Sequence, residues 1–280
     1  MTAAHSSPTP PGYASIMVSM DLRPDAEQRA RLATILADRF GSRLIGIAAH
    51  PIAPPLYFET ALPDVQSAMD LEHRHAAREI AKAEAAFRKV VGTRNRVEWR
   101  HAHTIPADFV VEQARAADLI VASRSRARHD GLEPMSLDAG DLVLAAGRPV
   151  LFVPPETELL AAKHIVIAWK DTREARRAVA DAMPFLKAAE GVTVVTFGAD
   201  DRGAADVGAY LACHGIEASV RRKDVAAQAV AAELMRVAEI DAADLIVCGA
   251  YGHSRASEWV FGGVTRDLLA HSRLCCLMAH

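Results

Sequence analysis

The sequence has no long apolar run, few aromatic residues and no strong excess of charge of either sign. Its 280 residues include 32 basic and 35 acidic side chains, a formal net charge of −3, and 5% aromatic residues. No apolar run approaches the roughly 20 residues that a helix needs to cross a bilayer. The net charge gives no electrostatic argument for binding nucleic acid. We therefore expect a cytoplasmic protein that binds neither nucleic acid nor a membrane. Residues 1–13, which are polar and proline-rich, are expected to be a disordered lead-in rather than a secretory signal.

Patterns of cysteine and histidine that hold metals are also missing. The four cysteines all lie in the second half, without a C-x-x-C pair, as expected for small buried residues in a reducing compartment. The 12 histidines are scattered, and those at positions 73, 75, 101 and 103 have no metal-ligand spacing with acidic partners. No metal is expected, except Mg²⁺ that accompanies a nucleotide.

An alternation of strand-like and helix-like segments is present, and it occurs twice. The same strand sequence, Ala-Ala-Asp-Leu-Ile-Val, stands at residues 116–121 and again at 242–247. From there the two copies align without a gap to the end of the chain. Strands that alternate with helices imply right-handed βαβ crossovers and parallel sheets. The sequence therefore predicts an α/β fold of two tandem, doubly wound, five-stranded parallel-sheet domains, at residues 14–155 and 162–280.

Helix bounds follow from periodicity and from capping residues. Apolar spacing predicts a long helix over Val65–Val91 and a shorter one over Ala204–Cys213. The run Asp171-Thr-Arg-Glu174 has the spacing of a capping box, and it predicts a helix that continues to Leu186. Asp224 is predicted to be the N-cap of a helix that reaches Ile240.

A glycine-rich segment, Gly249-Ala-Tyr-Gly252 followed by Gly262 and Gly263, lies between a buried strand and a helix. Glycines let the backbone approach an anion closely, and the N–H groups of a helix start point at it. The sequence has no P-loop motif, and no pair of carboxylates for Mg²⁺ stands beside the segment. The pattern predicts a nucleotide site in the second half, with slow hydrolysis at most.

These motifs together resemble the universal stress protein family, in two tandem copies that cover residues 14–280. The resemblance implies domains of the adenine nucleotide α-hydrolase type that dimerise partly through their last strand. It also implies a site for ATP, with AMP or ADP as alternatives, in which the glycine motif holds phosphates and ribose. The positions carried over from the family as nucleotide contacts are Ala168, Asp171, Gly249, Gly252, His253, Ser254, Gly262, Gly263, Val264 and Thr265.

The sequence departs from the family pattern at several places. Gly263 stands where the family has a hydroxyl side chain, and Lys170 stands where it has an aspartate; Asp171 is then a candidate helix cap. In the first half Ser123, Arg126 and Ser136 replace the glycines, and Asp21, which matches the family aspartate, is expected to be a cap or a surface residue. We therefore expect one nucleotide site per chain, in the second half.

Three other predictions stay open from the sequence. The first is an interaction module that binds no nucleotide, in which the glycines only shape a tight turn between strand and helix. A phosphoacceptor or flavin-type protein would use Asp21 or Asp171 as its carboxylate. If the last strands of the two halves, residues 149–153 and 274–278, pair with each other, the chain forms within itself the dimer of single-domain relatives. Association of two whole chains to a homodimer stays open.

Overall fold

The computed structural model describes residues 12–52, 65–124, 134–198, 203–252 and 263–280. In these ranges ten strands form one continuous sheet with helices on both faces. The strands are β1 Ser15–Ser19, β2 Arg43–Ala49, β3 Val97–Ala102, β4 Leu119–Ser123, β5 Val150–Val153, β6 His164–Trp169, β7 Gly191–Phe197, β8 Ala218–Lys223, β9 Leu245–Gly249 and β10 Cys275–Ala279. The helices are α1 Ala26–Phe40, α2 Val65–Val91, α3 Pro106–Gln113, α4 Ala139–Ala145, α5 Arg173–Asp181, α6 Met183–Leu186, α7 Ala204–Cys213, α8 Val230–Ile240 and α9 Gly263–His271.

The strand order is β3-β2-β1-β4-β5-β10-β9-β6-β7-β8. Within β1–β5 and within β6–β10 every pair of neighbours is parallel, and both halves have the same order. The predicted doubly wound α/β fold is confirmed. The two five-stranded sheets are not separate, however, because β5 and β10 join them into one.

The junction between the halves lies on a local twofold axis. β5 and β10 are antiparallel, and Leu151 faces Leu277, its own equivalent in the repeat. Val150 faces Met278 and Phe152 faces Cys276, so the pairing is symmetric about the two leucines. The hypothesis that the last strands pair within one chain is confirmed.

Apolar side chains form two buried layers, one on each face of the sheet. Successive residues of a strand point to opposite faces, so Ile16 and Val18 enter one layer while Met17 enters the other. Both layers contain residues from both halves. In the first layer Tyr13 contacts Phe40 and also Phe185 of the second half, with ring centroids 5.2 and 5.5 Å apart. The expectation that the disordered lead-in extends to residue 13 is therefore wrong, because Tyr13 is buried. The two halves therefore share their hydrophobic core.

Two predicted helix starts are wrong. The N-cap of α5 is Thr172, whose hydroxyl accepts a hydrogen bond from the Ala175 N–H at 3.3 Å, so Asp171 does not cap the helix. The helix also stops at Asp181 instead of continuing to Leu186, because Pro184 lacks the N–H that a continuous helix needs. Asp224 caps nothing, since α8 begins only at Val230. β8 lies at the edge of the sheet, whereas α8 packs on β6, two strands further in. The residues between β8 and α8 span this distance, so the helix starts later than predicted.

Candidate functional site: a crevice at the carboxyl edge of the second half

The glycine segment lies where the strand order of the second half reverses. β6 is flanked by β9 on one side and by β7 on the other, so the connections that leave β6 and β9 diverge to opposite faces. Such a switch point opens a crevice at the carboxyl ends of the strands, and open α/β sheets bind ligands there. Residues 170–172, after β6, and 249–252, at the end of β9, meet at this point. A Cβ built on Gly252 would lie 3.1 Å from the hydroxyl of Thr172.

Gly249 is required by helix packing rather than by backbone conformation. A Cβ at this position would lie 2.5 Å from the backbone nitrogen of Ala175 and 2.7 Å from the carbonyl carbon of Glu174. Neither Gly249 nor Gly252 has a positive φ, whereas Tyr251 between them has φ of 55°. The first turn of α5 can therefore approach β9 only because residue 249 has no side chain.

A buried carboxylate, Glu174, adjoins the glycine segment. Its side chain is 7% exposed, and its Oε1 accepts a hydrogen bond from Arg173 Nε at 2.5 Å. Burial opposes ionisation, but hydrogen bonds from Arg173, from its own backbone N–H and from Thr172 hold the pKa of this carboxyl below its usual value. A Cβ on Gly252 would lie 3.1 Å from Oε2. The crevice thus contains a negative charge that sequence analysis assigned only to helix capping.

The start of α9 is the open side of the crevice. Gly263 is its first residue, and a Cβ built there would lie within 4 Å of no atom in the part of the chain that the structure describes. Thr265 is buried, and its Oγ1 accepts a hydrogen bond from the Tyr251 N–H at 3.5 Å, which links the segment after β9 to the helix. Val264 is half-buried against the apolar layer on the same face. The predicted contacts His253, Ser254 and Gly262 lie outside the described residues.

Ala168 and Asp171 lie on the β6 side of the crevice. Ala168 is half-buried in β6, between Val195 and Cys248. Asp171 is exposed and forms an ion pair with Arg176, with Oδ1 and Nη2 at 2.5 Å. The residues that adjoin Gly252 are Thr172 and Glu174 rather than Asp171.

Tyr251 connects the crevice to the first half of the chain. Its hydroxyl would lie 2.8 Å from a Cβ on Gly140, the second residue of α4. Burial and the nearby carboxylates of Asp138 and Asp141 raise the pKa of the Tyr251 phenol. No local pattern marks this contact, because it exists only after the two halves pair through β5 and β10.

The equivalent place in the first half is closed by an ion triad. Asp21 follows β1 and is buried, with its Oδ2 3.0 Å from Arg29 Nη2. The same guanidinium donates from Nη1 to Asp25 at 3.1 Å and from Nε to the Ser19 carbonyl at 2.9 Å. The expectation that Asp21 is a cap or a surface residue is wrong. Because Arg29 already holds Asp21 inside the protein, this carboxylate does not face a ligand.

Several histidines that are scattered in the sequence meet at the carboxyl edge of the first half. The ring of His50, at the end of β2, lies 5.7 Å from that of His75, and the rings of His73 and His103 lie 6.1 Å apart. Within the described ranges, no three His, Cys, Asp or Glu side chains are arranged to hold a metal ion. No helix in those ranges is long and apolar enough to cross a membrane.

The fold and the crevice define a tandem, doubly wound α/β protein with a switch-point cleft in its second half. Residues 198–280 match the model of the universal stress protein family. The resemblance found in the sequence is confirmed over this part of the chain.

Solved structures show the same architecture over nearly the whole chain. A universal stress protein from Archaeoglobus fulgidus DSM 4304 superposes with a TM-score of 0.69 at 13% identity, covering 95% of this chain and 98% of that one. A protein of unknown function from Pseudomonas aeruginosa PAO1 has a TM-score of 0.53 at 16% identity, covering 95% and 92%. At these identities the similarity shows the fold alone. No curated protein sequence matches the chain.

Proposed function

We propose that this protein is a cytoplasmic stress-response protein that binds an adenine nucleotide, ATP in the first place, in the crevice of its second half and turns it over little or not at all. The observation that carries the proposal is the convergence of residues 170–172, residues 249–252 and the start of α9 at the switch point. AMP and ADP offer the same adenine and ribose and are the alternatives.

The phosphates would lie at the N-terminus of α9. The first N–H groups of a helix have no partner within the helix, and the helix dipole favours an anion there. Gly263, Val264 and Thr265 would supply these groups, and no described residue lies within 4 Å of a Cβ on Gly263. Gly249, Gly252 and Gly262, with His253 and Ser254, would complete the phosphate and ribose side. Ala168 and Asp171 would lie on the adenine side, and Mg²⁺ would enter only with the nucleotide.

A second candidate function is an interaction module in which the glycine segment is structural. The packing of Gly249 against the backbone of α5 favours this alternative, because it explains that glycine without a ligand. The carboxylate of Glu174 beside Gly252 also disfavours a phosphate there, although the paired Arg173 offsets part of its charge. Neither observation concerns Gly263, where a Cβ would be clear of every residue in the described ranges. A substitution that tests nucleotide binding should therefore be made at Gly263.

The experiment compares two substitutions at this position. Freshly purified protein is denatured, the released nucleotide is identified by mass spectrometry, and ATP affinity is measured by titration calorimetry. Gly263→Ser adds the hydroxyl that the family pattern has and should tighten binding about fivefold, the effect of a ~1 kcal/mol hydrogen bond. Gly263→Asp should weaken binding at least about tenfold through charge repulsion, while its carboxylate at a helix start leaves stability unchanged or raised.

The two functions give different results. Near one equivalent of nucleotide per chain, with opposite effects of the two substitutions, supports the nucleotide site. Protein that releases no nucleotide and binds none at millimolar ATP overturns it and leaves the interaction module.

A further inference from the structure

A second cavity opens at the opposite edge of the same half, where β6, β7 and β8 begin. Its volume is about 510 Å³, and the polar residues that line it include His164, Thr193, Ser219, Arg221 and Asp241. It lies at the amino ends of the strands, so the whole length of the sheet separates it from the glycine segment. It is therefore not part of the nucleotide crevice.

In the first half the same place in the fold is filled by an arginine. Arg43 begins β2 opposite Ser15, as Gly191 begins β7 opposite His164. The Arg43 guanidinium donates from Nη2 to the Ala116 carbonyl at 3.1 Å and from Nη1 to Glu98 Oε2 at 3.3 Å, and its Nε lies 3.4 Å from the Ser15 hydroxyl. In the first half this position is thus occupied by a guanidinium group of the chain itself, that of Arg43.

In the second half the arginine side chain is missing, and the His164 imidazole fills the part of its space nearest the backbone, so that the cavity lies beyond this ring. Gly191 does not have a positive φ, so its backbone does not require glycine. A Cβ there would lie 2.7 Å from Nδ1 of His164, which means that the imidazole occupies the path that a side chain would take. The pair Ser15 and Arg43 in one half therefore corresponds to His164 and Gly191 in the other.

The cavity wall is a preformed polar network. Thr193 Oγ1 donates to Asp241 Oδ2 at 2.7 Å, Ser219 Oγ lies 3.0 Å from Thr193 Oγ1, and Arg221 Nη1 donates to Asp241 Oδ1 at 2.7 Å. Burial opposes ionisation of Asp241, but the hydrogen bonds from Thr193 and Arg221 keep the pKa of its carboxyl below the usual value. Each carboxylate oxygen has a second lone pair, so Asp241 can accept a further hydrogen bond.

In the first half the carboxylate of Glu98 accepts hydrogen bonds from both Arg43 and Arg100. In the second half Glu217 and Asp241 line the cavity with Arg221, which leaves one negative charge in excess. We propose that this cavity binds a small organic monocation with a guanidinium head, which takes the position that the Arg43 side chain occupies in the first half.

The probe is n-propylguanidine, which reproduces an arginine side chain, titrated into the full-length chain and followed by amide NMR shifts. Neutral n-propylurea, which has almost the same shape, and inorganic phosphate are the controls. We expect saturable binding of propylguanidine alone at millimolar concentration, with shifts at Gly191 and Ser219. Comparable binding of propylurea, preferential binding of phosphate, or no binding up to about 20 mM overturns the proposal.

Two variants locate the site. His164→Ser combined with Gly191→Arg recreates the Ser15–Arg43 pair, and it should abolish binding of propylguanidine. Glu217→Gln changes an exposed residue at the cavity rim and should weaken binding about fivefold without a change in Tm. If Glu217→Gln binds as the unchanged protein does, or the folded double variant still binds, the cation does not occupy this cavity.

Discussion

At the scale of single residues, Gly249 and Gly263 belong to one glycine motif but have different surroundings. Gly249 faces the backbone of α5, and backbone atoms cannot move aside as a flexible side chain can. Among the described residues, none comes within 4 Å of a Cβ on Gly263. A motif that appears as one unit in the sequence thus combines a glycine required by packing with one that is not.

Gly249→Ala is expected to lower the free energy of unfolding by about 3 kcal/mol, because its methyl group would force α5 away from β9. Gly263→Ala is the matched control. It meets no described neighbour, and it should be neutral or stabilise the helix by up to ~1 kcal/mol, since alanine is the better helix former. Urea denaturation measures both. Equal effects of the two substitutions would show that the packing of Gly249 against α5 does not determine stability.

Sequence analysis predicted which residues form the motif but not the charges around it. The repeat and the glycine spacing are local patterns and can be read directly. The burial of Glu174 beside Gly252, and of Asp21 beside Arg29, depends on how α5 and α1 pack against the sheet. Burial converts an apparent cap or surface carboxylate into an internal ion, and a single sequence carries no signal for that.

At the scale of elements, the ends of β2 and β3 bring histidines against α2. His103 is exposed, and its partial desolvation, together with the nearby His73, His101 and His50, lowers the pKa of its imidazole in the folded protein. His75 and Glu79 lie in the same group, and the His75 ring contacts that of His50. Protonation of His103 is thus less favourable in the folded chain than in the unfolded one.

This difference predicts that the protein loses stability in mild acid. The unfolded chain binds the proton near the usual histidine pKa of about 6.5, and the folded chain only at lower pH. The free energy of unfolding should therefore fall as the pH drops through about 6.5 towards the folded pKa of His103, and then level off. His103→Asn should reduce this slope. Urea midpoints between about pH 7.5 and 5 measure it, and identical slopes in both proteins would contradict the assignment.

Periodicity predicted the bounds of two helices well, although the buried surface of α2 begins only at Ala76. The bounds of α2 and α7 agree with the predicted ranges Val65–Val91 and Ala204–Cys213. The starts of α5 and α8 were wrong for different reasons. Thr172 outcompetes Asp171 for the cap, and the chain between β8 and α8 has to travel from the edge of the sheet to its face.

At the scale of the whole molecule, the two halves are expected to unfold together. They share both apolar layers, and Leu151 and Leu277 are fully buried at their junction. Trp99 reports on the first half and Trp169 on the second, so each can be followed by fluorescence after the other two tryptophans are replaced by phenylalanine. Both probes should give the same denaturation midpoint.

Leu277→Ala tests the same coupling at the junction. The cavity that it leaves should cost about 2–5 kcal/mol and lower both midpoints equally. A variant in which only the Trp169 transition moves would show that the halves are independent. The sequence predicted the pairing of the last strands from the repeat, but it did not predict the common core, because that core depends on contacts such as Tyr13 with Phe185.

The antiparallel pairing of β5 with β10 also determines which backbone hydrogen-bonding groups remain exposed to other chains. Once these strands cover each other, the sheet ends at β3 and β8. Both carry charged side chains: Glu98 and Arg100 in β3, and Arg221, Arg222 and Lys223 in β8. Charged edge strands discourage edge-to-edge addition of further strands. The duplication thus places charged strands at both borders of the described sheet and encloses β5 and β10, which carry no charged side chain, at its centre.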